Sequence, residues 1–112
     1  MRKRLFGEIL MARQRVYSIF NPTPFEPLTL PIDADIFIKR EDLSPIHSYK
    51  WRGAYNRMAV LSPEERKRGV VCASAGNHAQ GVAVAARSMG IQATIYMPVS
   101  YTHLTLPTNR EV

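Results

Sequence analysis

Apolar and polar positions alternate along the chain in a way that predicts several short helices and strands. Apolar side chains recur at helical spacing from Leu5 to Ile19, which predicts an amphipathic helix with its arginines on the solvent side. Three prolines between Asn21 and Pro27 remove backbone donors, so this stretch is predicted to be an extended connector on the surface. The β-branched and aromatic run 36–39 is typical of a buried strand.

A second helix is predicted to begin at the segment Ser48-Tyr49-Lys50. Ser48 is a suitable N-cap, and apolar residues follow at helical spacing to about Leu61, which places Lys50 in the first turn. Trp51 and Tyr55, four positions apart, are expected to pack in the core. The neighbouring arginine, Arg52, is expected to form a structural ion pair with Glu41 or Asp42 rather than to act in catalysis.

The second half of the chain has the pattern of a βαβ unit. Ser62 and Glu65 have capping-box spacing, with a proline between them at the first helical position, and so predict a short helix that Gly69 ends. A buried strand over 70–73, a turn, a helix over 78–89 closed by a glycine, and a strand over 93–97 follow. Two strands joined in this way should be parallel, so the predicted fold class is α/β.

Composition limits the classes of function. With 112 residues, of which 46% are hydrophobic, the chain can bury a core. The net charge of +6 permits weak attraction to nucleic acid, and a small basic nucleic-acid-binding domain is kept as an alternative, although the basic residues form no long run. The single cysteine, Cys72, cannot form an internal disulfide and is expected to be a small buried side chain in a reducing cytoplasm. No apolar run is long enough to span a bilayer, and no secretory signal is recognised.

The turn between the predicted βαβ strand and helix carries candidate binding residues. It lies where a strand's carboxyl end meets a helix N-terminus, the usual ligand crevice of α/β sheets, where free N–H groups favour a carboxylate or phosphate. Gly76 would let the backbone approach a ligand, while Ser74 and Asn77 would add hydrogen bonds. A purely structural turn with Asn77 as N-cap explains these residues equally well. His78 has no partner at metal-ligand spacing, so no metal site is predicted.

Two motifs together resemble the pyridoxal-phosphate-dependent enzymes of the tryptophan-synthase β-subunit fold, and among them the threonine ammonia-lyases, or threonine dehydratases. The first is Ser-Tyr-Lys-Trp-Arg-Gly-Ala around Lys50, and the second is Ser-Ala-Gly-Asn-His-Ala-Gln-Gly from Ser74. The likeness extends over about residues 21–98. The helix predicted from apolar spacing occupies 1–20. The resemblance implies that 21–99 is the N-terminal portion of a catalytic domain and that 100–112 is a tail outside the family pattern, either artefactual or diverged. The expected fold is thus an incomplete part of the pyridoxal-phosphate fold.

The resemblance also implies roles for individual residues. Lys50 would hold pyridoxal 5'-phosphate as a Schiff base and later remove the substrate's Cα proton, two tasks that suit a desolvated lysine. Asn77 would bond the cofactor's ring hydroxyl. The substrate carboxylate would be bound by Ser74, Ala75, Gly76, Asn77 and His78.

The implied reaction converts L-threonine or L-serine to a 2-oxo acid and ammonia, as in isoleucine biosynthesis. The parent protein would be a cytoplasmic homo-oligomer with a small amino-acid substrate and with neither nucleic acid nor membrane as partner. Serine dehydratase, serine racemase and threonine synthase share the lysine and are alternatives. The family's glycine-rich phosphate loop has no counterpart in these 112 residues, so the chain alone is expected to bind the cofactor poorly and to turn over little.

Overall fold

The computed structural model describes residues 2–99, which form a succession of short helices and strands. The predicted tail over 100–112 lies outside the described residues. In chain order the elements are α1 (Arg2–Val16), β1 (Phe25–Leu28), β2 (Ile36–Lys39), a 3-10 turn (Glu41–Leu43), α2 (Lys50–Ala59), α3 (Pro63–Arg68), β3 (Val70–Ala73), α4 (Asn77–Met89) and β4 (Ala93–Tyr96).

The βαβ unit predicted from the sequence is confirmed. Strands β3 and β4 pair in parallel, with Val70 opposite Ala93, and α4 connects them. Gly90 ends α4 in the left-handed conformation, at φ 66°, that glycine adopts without steric cost. One face of the sheet packs against α4 through residues such as Ile95. The opposite face is uncovered in the described structure, where Val71 is 67% exposed.

The core lies mainly between α2 and α4. Small side chains on α4 allow the two helices to approach closely, and Met58 of α2 packs against Val82 and its neighbours. Trp51, predicted as a core residue, is only 1% exposed, and its ring meets Phe20 edge to face at 4.9 Å between centroids. Tyr55 packs against the same core while remaining partly exposed. The start of α2 is therefore anchored by a large buried ring.

The segment 21–27, predicted to be an extended surface connector, is more than a connector, because part of it is a strand. Phe25–Leu28 forms β1, which pairs antiparallel with β2 and sets Pro27 opposite Phe37. Proline is tolerated there because β1 is an edge strand of a two-stranded sheet and need not donate on its outer side. The prediction that β2 is buried is wrong, since Phe37 stacks on Phe25 while both rings remain largely exposed.

Helix boundaries follow the sequence with small shifts. Helix α1 ends at Val16, which is its only buried residue, so the apolar face predicted for it is left exposed among the described residues. The capping box of α3 is confirmed: the Glu65 N–H donates to Ser62 Oγ at 3.2 Å, and the Ser62 N–H donates to Glu65 Oε2 at 2.8 Å. Within residues 2–99, every helix is too short or too polar to cross a bilayer.

Candidate active site

Lys50 is the first residue of α2. The loop before it is held by hydrogen bonds between Ser44 and Ser48. The Ser44 hydroxyl donates to the Ser48 carbonyl at 2.6 Å and accepts from the Ser48 N–H at 3.0 Å. The N-cap is Tyr49, so the prediction of Ser48 as N-cap is wrong. The Ser48 hydroxyl instead accepts a long hydrogen bond, 3.4 Å, from the Lys50 N–H. The start of α2 thus lacks a strong side-chain cap.

The side chain of Lys50 is exposed. Its Nζ lies 5.3 Å from the centroid of the Tyr49 ring, and this ring is itself largely exposed. Because Lys50 is exposed, the desolvated lysine expected from the resemblance is not found within residues 2–99. The amine is accessible to a reactant from solvent.

The backbone of Lys50, unlike its side chain, is held firmly against α4. A Cβ added to Gly81 would lie 3.1 Å from the carbonyl carbon and oxygen of Lys50 and 3.1 Å from the Trp51 nitrogen. Gly81 is buried, and these neighbours are backbone atoms that cannot turn aside. The two sequence motifs consequently meet at one contact, where the last glycine of the second lies beneath the lysine of the first.

Arg52 forms the ion pair predicted for it, with Glu41. Its Nε and Nη2 donate to the two carboxylate oxygens at 2.9 and 2.8 Å, and its Nη1 donates to the Tyr17 hydroxyl at 2.9 Å. Thr23 joins the network by donating to Glu41. Hydrogen bonding by Arg52 holds the pKa of Glu41 below its ordinary value, and hydrogen bonding to Glu41 raises the pKa of Arg52.

The other acidic residue considered for that pair, Asp42, bonds Arg40 instead. Arg40 Nη2 lies 2.8 Å from an Asp42 oxygen, and Arg40 also reaches Glu26. Sequence reasoning missed Tyr17 and Thr23 altogether, since neither stands in a recognisable motif. The one available signal was a threonine set between two prolines, which is a position where a buried hydroxyl can be held rigidly.

The loop before α4 is half-buried over residues 74–76, and the first two residues of the helix are exposed. Helix α4 begins at Asn77 and its N-cap is Gly76, so the alternative that made Asn77 the N-cap is wrong. The Ser74 hydroxyl accepts a hydrogen bond from the Gly76 N–H at 3.3 Å, and Ala75 is half-buried between them. A Cβ placed on Gly76 would meet no atom within 4 Å in the described structure, and the Asn77 side chain is exposed. The first N–H groups of α4 therefore face accessible space.

His78 belongs to a different environment. It lines an apolar cavity of about 320 Å³ between α2 and β3, whose lining includes Met58 and Cys72 but not Lys50. Cys72 is half-buried rather than buried as predicted, and partial desolvation raises the pKa of its thiol. Of the five loop residues proposed to bind a carboxylate, His78 is the one that also lines this cavity.

The residues present fit the aldehyde of pyridoxal phosphate and an anionic or hydroxyl oxygen near it. An accessible primary amine on Lys50 suits reaction with an aldehyde, and the open start of α4 offers backbone donors to an anionic or hydroxyl oxygen. Asn77 adds an exposed amide beside them. Both groups stand at the beginnings of helices that pack together through Gly81 and a shared core.

Known proteins share this arrangement of elements. The family described as pyridoxal-phosphate dependent enzyme matches residues 17–110. The biosynthetic L-threonine dehydratase of Corynebacterium glutamicum is 48% identical over 96 residues, which are 83% of this chain and 22% of that protein. The chain therefore spans less than a quarter of that relative's length.

Solved structures agree with this comparison. The processed form of threonine deaminase isoform 2 from Solanum lycopersicum superposes with a TM-score of 0.78 at 41% identity, covering 88% of this chain and 28% of the other. Maize serine racemase superposes with a TM-score of 0.76 at 38% identity, covering 82% and 30%. The α/β fold with its parallel βαβ unit is confirmed, and because the family match covers most of the sequence, this chain belongs to the pyridoxal-phosphate dependent enzymes.

Proposed function

We propose that this chain carries the lysine-bearing part of an ammonia-lyase that converts L-threonine, or L-serine, to a 2-oxo acid and ammonia. The observation that carries the proposal is the contact of Gly81 with the Lys50 backbone, which joins an accessible amine and an open helix N-terminus in one unit. Relatives named threonine dehydratase, at 47–48% identity, support the choice of reaction.

Lys50 and Asn77 are the residues that would hold the cofactor. Lys50 would carry it covalently through Nζ, and the Asn77 amide would bond its ring hydroxyl. When bound, pyridoxal phosphate supplies an electron sink for the electron pair left at Cα. The Lys50 amine, once free, accepts the Cα proton at Nζ, which is general-base chemistry suited to an unprotonated lysine.

The loop 74–78 would bind the substrate carboxylate. Helix α4 has 13 residues, so its N-terminal N–H groups carry a partial positive charge that stabilises a carboxylate. Gly76 keeps the approach open because nothing stands where its side chain would be. The helix that begins with Lys50 packs against the same α4, at Gly81.

The proposed reaction balances without an oxidant or reductant. The Cα proton and the β-hydroxyl leave together as water, which gives an enamine. The enamine tautomerises to an imine, and addition of one water then releases ammonia. L-threonine thus yields 2-oxobutanoate and ammonia, and L-serine yields pyruvate and ammonia.

The same proposal includes the setting of the whole enzyme. We infer a cytoplasmic homo-oligomer that acts in isoleucine biosynthesis on a small amino acid, since the relative from Corynebacterium glutamicum is named a biosynthetic dehydratase. Serine racemase is the second candidate function, favoured by the maize structure. A longer protein containing this chain would distinguish them: the lyase forms 2-oxo acid from L-threonine, whereas the racemase forms D-serine.

A labelling experiment tests the assignment of Lys50. The chain is incubated with pyridoxal phosphate, reduced with borohydride, digested and mapped by mass spectrometry. We expect the pyridoxyl label mainly on Lys50 rather than on the other lysines, Lys3, Lys39 and Lys67. Lys50→Ala should remove the main label, while the control Lys67→Ala should keep it. Label spread evenly over the four lysines would reject the assignment.

A further inference from the structure

We propose that Arg52 is a positioning residue for Lys50: its guanidinium, paired with Glu41, fixes the first turn of α2 in the orientation in which the Lys50 amine reacts. The inference rests on the proposed function, because it concerns the lysine assigned there. Arg52 does not touch the reacting atoms in this scheme, and it acts only through the backbone that it shares with Lys50.

The first turn of α2 needs an anchor from outside the helix. The helix has 10 residues and begins without a side-chain cap, and helices of this length are marginal on their own. The Lys50 side chain is exposed, and its Nζ lies 5.3 Å from the centroid of the exposed Tyr49 ring. The backbone of the first turn therefore sets where the flexible Lys50 stem begins and the direction in which it leaves the helix.

Arg52 has the contacts that such an anchor requires. Each of its three guanidinium nitrogens donates to an acceptor, and the bidentate pair with Glu41 fixes the plane of the group. The guanidinium carbon also lies 5.0 Å from the Trp51 ring and 5.3 Å from the Tyr17 ring. Rotating this side chain would break several interactions at once.

The pair is better shielded than an ordinary surface ion pair. The side chains of Arg52 and Glu41 are 25% and 18% exposed, which reduces screening by solvent and salt. Thr23, 7% exposed, closes the network by bonding both Glu41 and Arg52. The acceptor side of the pair is therefore as fixed as the donor side.

In addition to the buried Trp51 ring, two separate parts of the fold hold the start of α2. Arg52 connects it to the 3-10 turn after β2 and to the segment after α1, through Glu41 and Thr23. Gly81 connects it to α4 on another side. Removal of the guanidinium would release one of these holds while leaving the other, so the turn would lose its orientation without detaching from the core.

The chain offers a matched control at the other end of the same helix. Arg66 donates to the carbonyls of Ala59 at 2.8 Å and Leu61 at 3.2 Å, just where α2 ends. Arg66→Ala therefore removes an arginine that anchors α2 but stands far along the helix from Lys50. It should reduce stability without altering the first turn.

The experiment measures the ratio of pyridoxyl label on Lys50 to label on Lys3 after borohydride reduction, beside the urea midpoint of each variant. We expect Arg52→Ala to lower the ratio about tenfold, since a hydrogen bond to a charged group contributes roughly that factor. Arg52→Lys should lower it too, because an ammonium cannot form the planar fork. Arg66→Ala should keep the ratio of the unsubstituted chain.

Each other outcome decides against the inference. An unchanged ratio in Arg52→Ala or, should that variant not fold, in Arg52→Lys overturns the role of Arg52 and leaves the function of Lys50 standing. An equal loss in Arg66→Ala would show that general helix stability, not position, is measured. A chain in which Lys50 is labelled no faster than Lys3 overturns both this inference and the proposed function.

Discussion

Gly81 and Lys50 are in backbone contact: a Cβ on Gly81 would stand 3.1 Å from both the carbonyl carbon and the carbonyl oxygen of Lys50. Side chains rarely approach backbone so closely, and the atoms at this contact belong to two packed helices. The spacing between α2 and α4 is therefore set at the residue that carries the proposed chemistry. A side chain added at Gly81 would press directly on the backbone of Lys50.

Gly81→Ala should lower the free energy of unfolding by about 1–3 kcal/mol, because the added methyl group overpacks a backbone contact. The control is Gly53→Ala in α2, where an added Cβ would meet nothing within 4 Å. That exposed helical site should gain roughly 0.5–1 kcal/mol from the better helix former. Urea unfolding of both variants checks the prediction, and equal effects at the two glycines would contradict it.

The Arg52–Glu41 pair should make stability depend on pH in the acidic range. The pKa of Glu41 in the folded chain lies below its ordinary value of 4.5. Above that value the carboxylate is ionised in both states and the pair contributes fully. As the pH falls, the unfolded chain takes up the proton first, so the contribution declines as the pH drops below about 5 and is lost once it has fallen through the lowered pKa of folded Glu41.

Glu41→Gln should therefore flatten the decline in unfolding free energy on acidification, measured by urea titrations at a series of pH values. Asp42 and Glu65, whose pKa values are also lowered, remain in this variant and do not affect the difference. Asp33→Asn, a neutralisation at an exposed loop residue, is the control and should keep the part of the decline that Glu41 causes. Parallel curves for the unsubstituted chain and Glu41→Gln would refute the assignment.

Ser62→Ala should reduce the free energy of unfolding by about 1 kcal/mol, the usual cost of losing an N-cap hydroxyl. The hydroxyl accepts from the Glu65 N–H, so its loss leaves that N–H without its partner, while the backbone N–H of residue 62 can still donate to the Glu65 carboxylate. Ser88→Ala is the control, since the exposed Ser88 hydroxyl bonds back to the Val84 carbonyl within α4. Alanine is preferred at such a position, and the control should be neutral or slightly stabilising.

Ser44→Ala should lower the free energy of unfolding by about 1–3 kcal/mol, because it leaves the Ser48 N–H and carbonyl without their partner. Ser44 is 3% exposed, so water cannot readily replace the hydroxyl. Ser48→Ala serves as control: its long hydrogen bond to the Lys50 N–H should be worth less than about 0.5 kcal/mol. A larger cost at Ser48 than at Ser44 would reinstate Ser48 as the cap.

The elements that sequence predicted are those specified by nearby residues. The parallel βαβ unit follows from two apolar runs, a turn and a small-residue helix, and Gly90 and Ser62 mark helix ends through local geometry. Trp51 was assigned to the core because of its spacing with Tyr55. The Arg52–Glu41 pair was also anticipated, since the two residues are only 11 positions apart.

What sequence could not predict depends on residues brought together by folding. The Tyr17 hydroxyl meets Arg52 across 35 positions, and no local pattern marks such a partner. The strand β1 was missed because its prolines argue against pairing, and only the presence of β2 alongside makes an edge strand of it. The exposure of Lys50 is likewise a tertiary property: the sequence places the residue at a helix start, but it does not tell whether other side chains bury it.

Because one face and both edges of the β3–β4 sheet are uncovered within residues 2–99, the chain should self-associate more as its concentration rises. Within residues 2–99, β3 and β4 pair only with each other, so each presents an unpaired row of amides and carbonyls beside the exposed face that carries Val71. Such edges accept further strands through main-chain bonds, with little regard to sequence. Self-association should compete with the monomer as concentration rises, and dilute samples are the ones in which the properties of Lys50 can be read without interference.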